Sequence, residues 1–261
     1  MRRSLRELWA SRELVATLAE RDLRARYKQA YLGFAWAFIL PLLYMVIFTV
    51  FFKHVAKIET GKVPYALFSY VGLLPWTFFS GSVSSGGGSL TGNLSVLNKV
   101  YCPREVFPIA VIVLEFVDML IASVVLLILF GIFTYSPQPT AIYIPLLLVV
   151  QIVFTLGVAL IVSSTTVYLR DMKHAISIVL QLGLFATPVA YALTEIPKGV
   201  RPFYCLINPL APVIDGYRRT ILLGHAPNWE LLGLGAIGAF TTLYFGYKLF
   251  KRLEPGIADV A

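Results

Sequence analysis

From Met119 to Leu169 the chain carries no charged residue. A stretch of that length is unsuited to facing water, and it exceeds what one helix needs, since about 20 apolar residues cross the hydrocarbon layer. Ser136-Pro137-Gln138-Pro139 interrupts it with two residues that cannot continue a helix. It therefore reads as two spans joined by a turn. The third span of the chain runs from about Phe107 to Tyr135, and the fourth ends at Arg170-Asp171-Met172-Lys173-His174.

The same reasoning extends in both directions. Leu32–Phe52 is charge-free, contains Pro41 and is closed by Lys53, which makes it the first span. The next charge-free run, Val63–Asn98, is longer than one crossing requires, and its later half, Ser80–Leu90, is dense in Ser and Gly (Gly81, Gly86, Gly87, Gly88). Small residues of this kind let helix backbones approach closely in lipid. A fifth span is expected over Ala175–Leu193, with Pro188 inside it. Thr194–Trp229 holds five prolines and no clean span, and the last span is Leu231–Tyr247, followed by Lys248, Lys251 and Arg252. With 58% hydrophobic residues, 14% charged residues and a mean hydropathy of +0.77, the chain is too apolar for a soluble domain of its length. The expected fold is all-α and integral to the membrane, a single domain with an interfacial helix over residues 1–30, a six-span bundle over 31–250 and a tail over 251–261.

Charge orients the bundle. Eight of the 22 Lys and Arg precede Gln29, ahead of the first apolar run. With the N-terminus inside, about fifteen of the 22 fall on cytoplasmic segments, so the positive-inside rule places both ends in the cytoplasm. Basic residues beside spans determine topology and contact headgroups, and so little soluble surface excludes a nucleic-acid partner while leaving membrane lipids as a partner. Ser4–Tyr27 reads as an amphipathic helix in the headgroup plane, opened by Ser4 and Glu7 as a capping box, with Trp9 suited to the interface. The first thirty residues lack the apolar core and cleavage site of a signal peptide. Cys102 and Cys205 fall on opposite sides of the membrane and are not expected to pair.

Catalytic and cofactor chemistry finds no foothold. Gly61-Lys62 is followed by Val63 and lacks an upstream glycine, and the Gly86–Gly88 run has no lysine at the place a phosphate loop needs. His54, His174 and His225 show no metal spacing. Glu115 and Asp118, three apart on one face of the third span, are the ionisable residues at membrane depth. Their position favours partnership with a basic residue near the inner face over a proton relay. The aromatic side chains in the spans, Phe34, Trp36, Phe38, Tyr44, Phe48, Trp76, Phe78, Phe185 and Tyr191 among them, fit lipid belts and helix packing, and equally a ring-lined path along which a glycan slides. No inverted repeat supports a secondary carrier.

Several segments, in order along the whole chain, resemble one family. Arg21-Asp22-Leu23, Arg26-Tyr27, Leu32-Gly33, Trp36 and Pro41 resemble the opening of the membrane subunits of type-2 ABC exporters, most closely those exporting O-antigen, teichoic acid and related cell-surface polysaccharides. Asn98-Lys99, Pro103-Arg104-Glu105 and Pro108 resemble that family's first cytoplasmic loop, and Tyr168-Leu169-Arg170-Asp171 its second. Asn208-Pro209-Leu210 and Tyr217-Arg218 resemble its external segment, and Glu254-Pro255 its C-terminal tail. The resemblance implies a homodimer in the bacterial inner membrane, paired with two copies of a separate ATPase that holds the ATP and Mg, and a lipid-linked polysaccharide as cargo. It places ATPase coupling on Arg21, Asp22, Arg26, Tyr27, Asn98, Lys99, Pro103, Arg104, Glu105, Arg170 and Asp171. It places the translocation path on Trp36, Tyr44, Phe48, Phe185 and Tyr191, along the first and fifth spans. It places an external gate of short re-entrant helices on Asn208, Pro209, Leu210, Tyr217 and Arg218. A permease for a drug or lipid cargo is the competing reading, and the short external segment argues against permeases with large extracellular domains.

Overall fold

A computed structural model describes residues 10–28, 36–55, 61, 63–93, 102–169 and 171–257. Among them there is no strand, and nine α-helices account for most residues. They are α1 (Arg12–Lys28), α2 (Trp36–Phe48), α3 (Tyr65–Gly87), α4 (Val106–Ile132), α5 (Ile144–Tyr168), α6 (Met172–Ala186), α7 (Arg201–Ile207), α8 (Leu210–Ile221) and α9 (Trp229–Leu253). The capping box at Ser4 and Glu7, and Trp9, lie outside the described residues, as do Asn98, Lys99 and Arg170.

Among the described residues three helices are long and apolar enough to cross a membrane: α3, α4 and α5 together with the 3₁₀ turn Pro139–Tyr143 before it. The apolar stretches of α2 and α6 are shorter. The helix of α2 runs on as a π-helical turn over Thr49–Val55. At 25 residues α9 has the length, but its charged end and its glycines and tyrosines dilute its hydropathy. Large apolar side chains stand exposed along these helices, for example Leu127, Ile128 and Ile132 on α4, and Phe240 and Phe245 on α9. Exposed apolar surface on that scale suits lipid or another protein rather than water.

The break between α4 and α5 falls where the sequence places it. Thr134 takes a left-handed φ of 50°, and the Tyr135 N–H reaches back to the Phe130 carbonyl at 3.0 Å, closing α4 with a Schellman-type turn. The fifth span departs from expectation. Pro188 does not sit inside a helix but ends one: α6 stops at Ala186, and Thr187, the residue before the proline, is extended at ψ 142°. The ring of Pro188 disfavours helical geometry at Thr187, and its missing N–H removes the next rung. The 15 residues of α6 rise only about 22 Å, less than the hydrocarbon thickness, so Tyr191 lies beyond the helix in an irregular turn.

Thr194–Trp229 folds as two short helices, α7 and α8, hinged at Asn208-Pro209. Nearly all of α8 is buried, so its backbone is covered by protein. Asn228 caps α9, its side chain accepting the Leu231 N–H at 3.2 Å.

Among the described residues, the two largest of four buried apolar clusters hold most of the bundle. The larger is built on α3 and shared with α4, α5 and α8. The smaller gathers Leu18 of α1, Leu90 after α3, Val106 and Phe107 of α4, Leu160 and Val167 of α5, and Phe250 and Ile257 at the end of the chain. The α3–α4 and α5–α6 connections, α1 and the end of α9 therefore share one end of the bundle. At the other end the α4–α5 turn meets α8: the Gln138 N–H donates to the Ile221 carbonyl at 3.1 Å and the Thr140 hydroxyl to that of Thr220 at 2.6 Å. Backbones touch where α5 and α9 cross, since a Cβ on Gly246 would stand 2.4 Å from the Gly157 carbonyl oxygen.

Candidate functional site

The end carrying α1 concentrates charge. Arg26 Nη2 donates to Glu115 Oε1 at 2.8 Å, and its Nη1 donates to Asp118 Oδ2. The Tyr27 hydroxyl donates to the other oxygen of Asp118. Arg26 is thus the basic partner of the two acids of α4, and the three side chains anchor α1 on α4. Ser85 of α3 donates to Glu115 Oε1 at 3.2 Å, and a Cβ on Gly81 would stand 2.4 Å from Glu115 Oε2. The small residues of α3 are what let the carboxylate lie against that helix. Burial opposes the Arg26 charge, yet the two carboxylates outweigh it and hold its pKa above the usual value. Burial also raises the Tyr27 phenol, and its bond to Asp118 raises it further. Arg21 reaches Asn93 Oδ1 at 2.8 Å and pairs with Asp22 at 2.7 Å, tying α1 to the segment after α3.

The first connection docks onto the end of α9. Glu105 is 2% exposed, and Lys251 Nζ stands 2.5 Å from its Oε1 and 2.8 Å from Glu254 Oε2. Arg104 donates to the Glu254 carbonyl. Pro103 is half-buried beside them. From the last residue of α5, just before the second connection, the Tyr168 hydroxyl donates to the Leu253 carbonyl at 2.6 Å, while Asp171 is exposed.

At the opposite end Arg218 is 3% exposed, and its guanidinium is met by backbone rather than by a carboxylate. It donates to the carbonyls of Phe68 at 3.1 Å, Pro188 at 2.7 Å and Tyr191 at 2.8 Å, and also to that of Val189. The ring of Phe68 covers its face at 3.6 Å. One side chain thereby fastens the turn after α6 to α3 and α8. Tyr217 donates to Gln151 Oε1 at 3.0 Å, and Gln151 Nε2 to the Pro75 carbonyl at 2.9 Å. Asn208 Nδ2 donates to the Thr187 hydroxyl at 2.9 Å, and Pro209 and Leu210 are buried at the hinge before α8. The residues of the external segment are brought together with the turn that ends α6.

The residues assigned to a path are more scattered. Tyr44 is 41% exposed and Phe185 59% exposed, whereas Phe48 is buried against Phe52, with ring centroids 5.4 Å apart. Tyr191 is half-buried and donates to the Phe185 carbonyl at 3.2 Å. Trp36 opens α2, and its side chain lies outside the described residues. Only Ile176 of α6 is buried, so α6 presents most of its apolar surface outward.

Sequence reasoning missed Lys251, Tyr168 and Gln151 as partners. Lys251 reads as a topology charge, Tyr168 only as the opening of the second-loop motif, and Gln151 as an ordinary polar residue within a span. No group of three metal-ligating side chains occurs among the described residues.

A family profile described as ABC-2 type transporter matches residues 13–222. The chain is 32% identical over 261 residues to the O-antigen export system permease protein RfbA of Myxococcus xanthus, covering 99% of each chain. It is 28% identical over 251 residues to the protein of the same name from Klebsiella pneumoniae, covering 95% of each. It is 25% identical over 248 residues to the polysialic acid transport protein KpsM of Escherichia coli, covering 93% of this chain and 94% of that one. A match that takes in most of the described helices, together with relatives aligned almost end to end, places the chain in the ABC-2 type transporter family of membrane proteins.

Proposed function

We propose that this chain is the channel-forming subunit of an ATP-driven exporter that moves a lipid-linked cell-surface polysaccharide from the cytoplasm to the outer side of the bacterial inner membrane. The observation that carries the reading is the end-to-end similarity to an O-antigen export permease, covering 99% of both chains. In this reading α2, α3, α4, α5, α6 with its following turn, and α9 are six spans. The helix α1 lies along the inner surface, α7 and α8 re-enter from outside, and both chain ends are cytoplasmic. Two copies of the chain pair with two copies of a separate ATPase, which holds ATP and Mg.

The physical logic follows from the cargo. Each glycan hydroxyl costs about 2–7 kcal/mol to bury unpaired, so a polymer needs a lined passage through the bilayer. The outward apolar faces of α2 and α6 suit a contact between two copies, with Tyr44 and Phe185 on them. Motion of the ATPase against the first connection would reach α4 directly, because Glu105 immediately precedes that helix. It would reach α1 through Arg26. At the exit, Arg218 would hold the turn after α6 as one piece with α8.

The test is co-expression of the tagged chain with the ATPase encoded beside it, followed by stoichiometry and ATP hydrolysis in lipid nanodiscs. Two copies of each, and loss of surface polysaccharide in a deletion strain, are expected. A chain that purifies without an ATPase, from a strain whose surface polymer survives its deletion, refutes the reading.

A further inference from the structure

We infer that the last described turns, Lys251 to Ile257, are a positioning clasp that fixes the segment before α4 to the end of α5, so that the two move as one body against the ATPase. The inference rests on the exporter reading for its partner, while the clasp itself rests on contacts within the chain.

Three kinds of contact converge on this turn. The first connection is held by charge, with Lys251 Nζ 2.5 Å from the buried Glu105 and Arg104 donating to the Glu254 carbonyl. The end of α5, just before the second connection, is held by a hydrogen bond from Tyr168 to the Leu253 carbonyl at 2.6 Å. That contact is close enough that a Cβ on Gly256 would stand 2.5 Å from the Tyr168 oxygen. Apolar packing supplies the third, because Phe250 and Ile257 share a core with Leu18 of α1, Val106 of α4 and Val167 of α5.

The geometry is specific to positioning. Glu105 is too buried to meet a partner protein itself, and its position just before α4 makes its side chain a lever on that helix. Lys251 sits between two carboxylates, Glu105 and Glu254, so that one cation is shared by the segment before α4 and the C-terminal turn. Removing the lysine leaves two acids facing each other across the joint. The connections would then be free to shift separately, and ATPase motion delivered to one would no longer reach the ends of α4, α5 and α9 together.

The experiment compares wild type, Lys251→Met and Lys251→Arg, each as the permease–ATPase complex in nanodiscs, with polymer export scored in cells. Lys251→Met is expected to keep the assembly and its ATP hydrolysis while export per ATP falls about tenfold, and Lys251→Arg to restore most of it. Hydrogen exchange is expected to rise about tenfold at the amides of residues 104–107 and 166–169 in Lys251→Met alone. Wild-type export per ATP in Lys251→Met overturns the inference. If that variant fails to assemble, Tyr168→Phe decides, since it removes a single hydroxyl: export per ATP must fall with hydrolysis retained, and an unchanged ratio overturns the clasp. A wild-type chain that binds no ATPase refutes the exporter reading instead, and the exchange measurement then decides the clasp by itself.

Discussion

Replacing Arg26 with Gln removes the cation shared by Glu115 and Asp118, and the size of the loss can be worked from their surroundings. The Glu115 and Asp118 side chains are 10% and 18% exposed, while Arg26 is 36% exposed. Breaking a fully buried pair from one side costs about 3–5 kcal/mol, and an exposed pair contributes about 0–1. The acids are left mostly buried and the lost cation is partly hydrated, so about 2–3 kcal/mol is expected here, between those limits. For a chain of this size that lowers the unfolding midpoint by roughly 4–12 °C. Labelling of the buried Cys205 thiol in a Cys102→Ser background follows unfolding in detergent. The triple variant Arg26→Gln, Glu115→Gln, Asp118→Asn should regain most of the loss, because the orphaned charges are gone. The reasoning fails if Arg26→Gln unfolds within about 1 °C of its parent, well inside the shift expected from such a pair. It also fails if the triple variant is no more stable than the single one.

Three further outcomes follow from the same contacts. Gly81→Val places atoms beyond a Cβ that already stands 2.4 Å from Glu115 Oε2, so it should displace the carboxylate from Arg26 and cost about 1–3 kcal/mol, read by the same thiol assay. Arg218→Lys cannot span the carbonyls of Phe68, Pro188 and Tyr191; each acceptor left bare costs about 1–3 kcal/mol, and trypsin should cut after Lys198 faster in this variant. Gly246→Ala meets the Gly157 carbonyl at 2.4 Å, a backbone atom that cannot yield, and should abolish accumulation in the membrane, whereas Gly233→Ala, with nothing within 4 Å, should accumulate normally on immunoblots.

What the sequence made legible is what a one-dimensional pattern can carry. Charge-free runs mark α3, α5 and the part of α4 that follows Asp118, because the length of a crossing is a local quantity. The Ser136–Pro139 break was legible for the same reason. Pro188 was not, since a proline inside a long apolar run can kink a helix or end it, and burial of the following turn by Arg218 decides the matter. The need of Glu115 and Asp118 for a cation was legible in kind, as desolvation requires one, but not as Arg26, which is 89 residues from Glu115. The exposure of α6 and the burial of Phe48 depend on which helices neighbour each other, and composition is silent on that.

Lys251 shows why one reading can hide another. A lysine after the last apolar run is accounted for by topology, so the sequence raises no further question about it. Yet the same charge lies 2.5 Å from a buried glutamate that precedes α4. The two roles differ in redundancy: Lys248 and Arg252 flank Lys251 and carry the same topological sign, while neither appears among the ion pairs to Glu105 in the described residues. Neutralising Lys251 alone therefore leaves the orientation of α9 intact and removes the clasp. Accessibility of a C-terminal tag from each side of the membrane, measured beside export, separates the two roles. An export defect with a correctly placed tag belongs to the joint between Glu105 and Lys251.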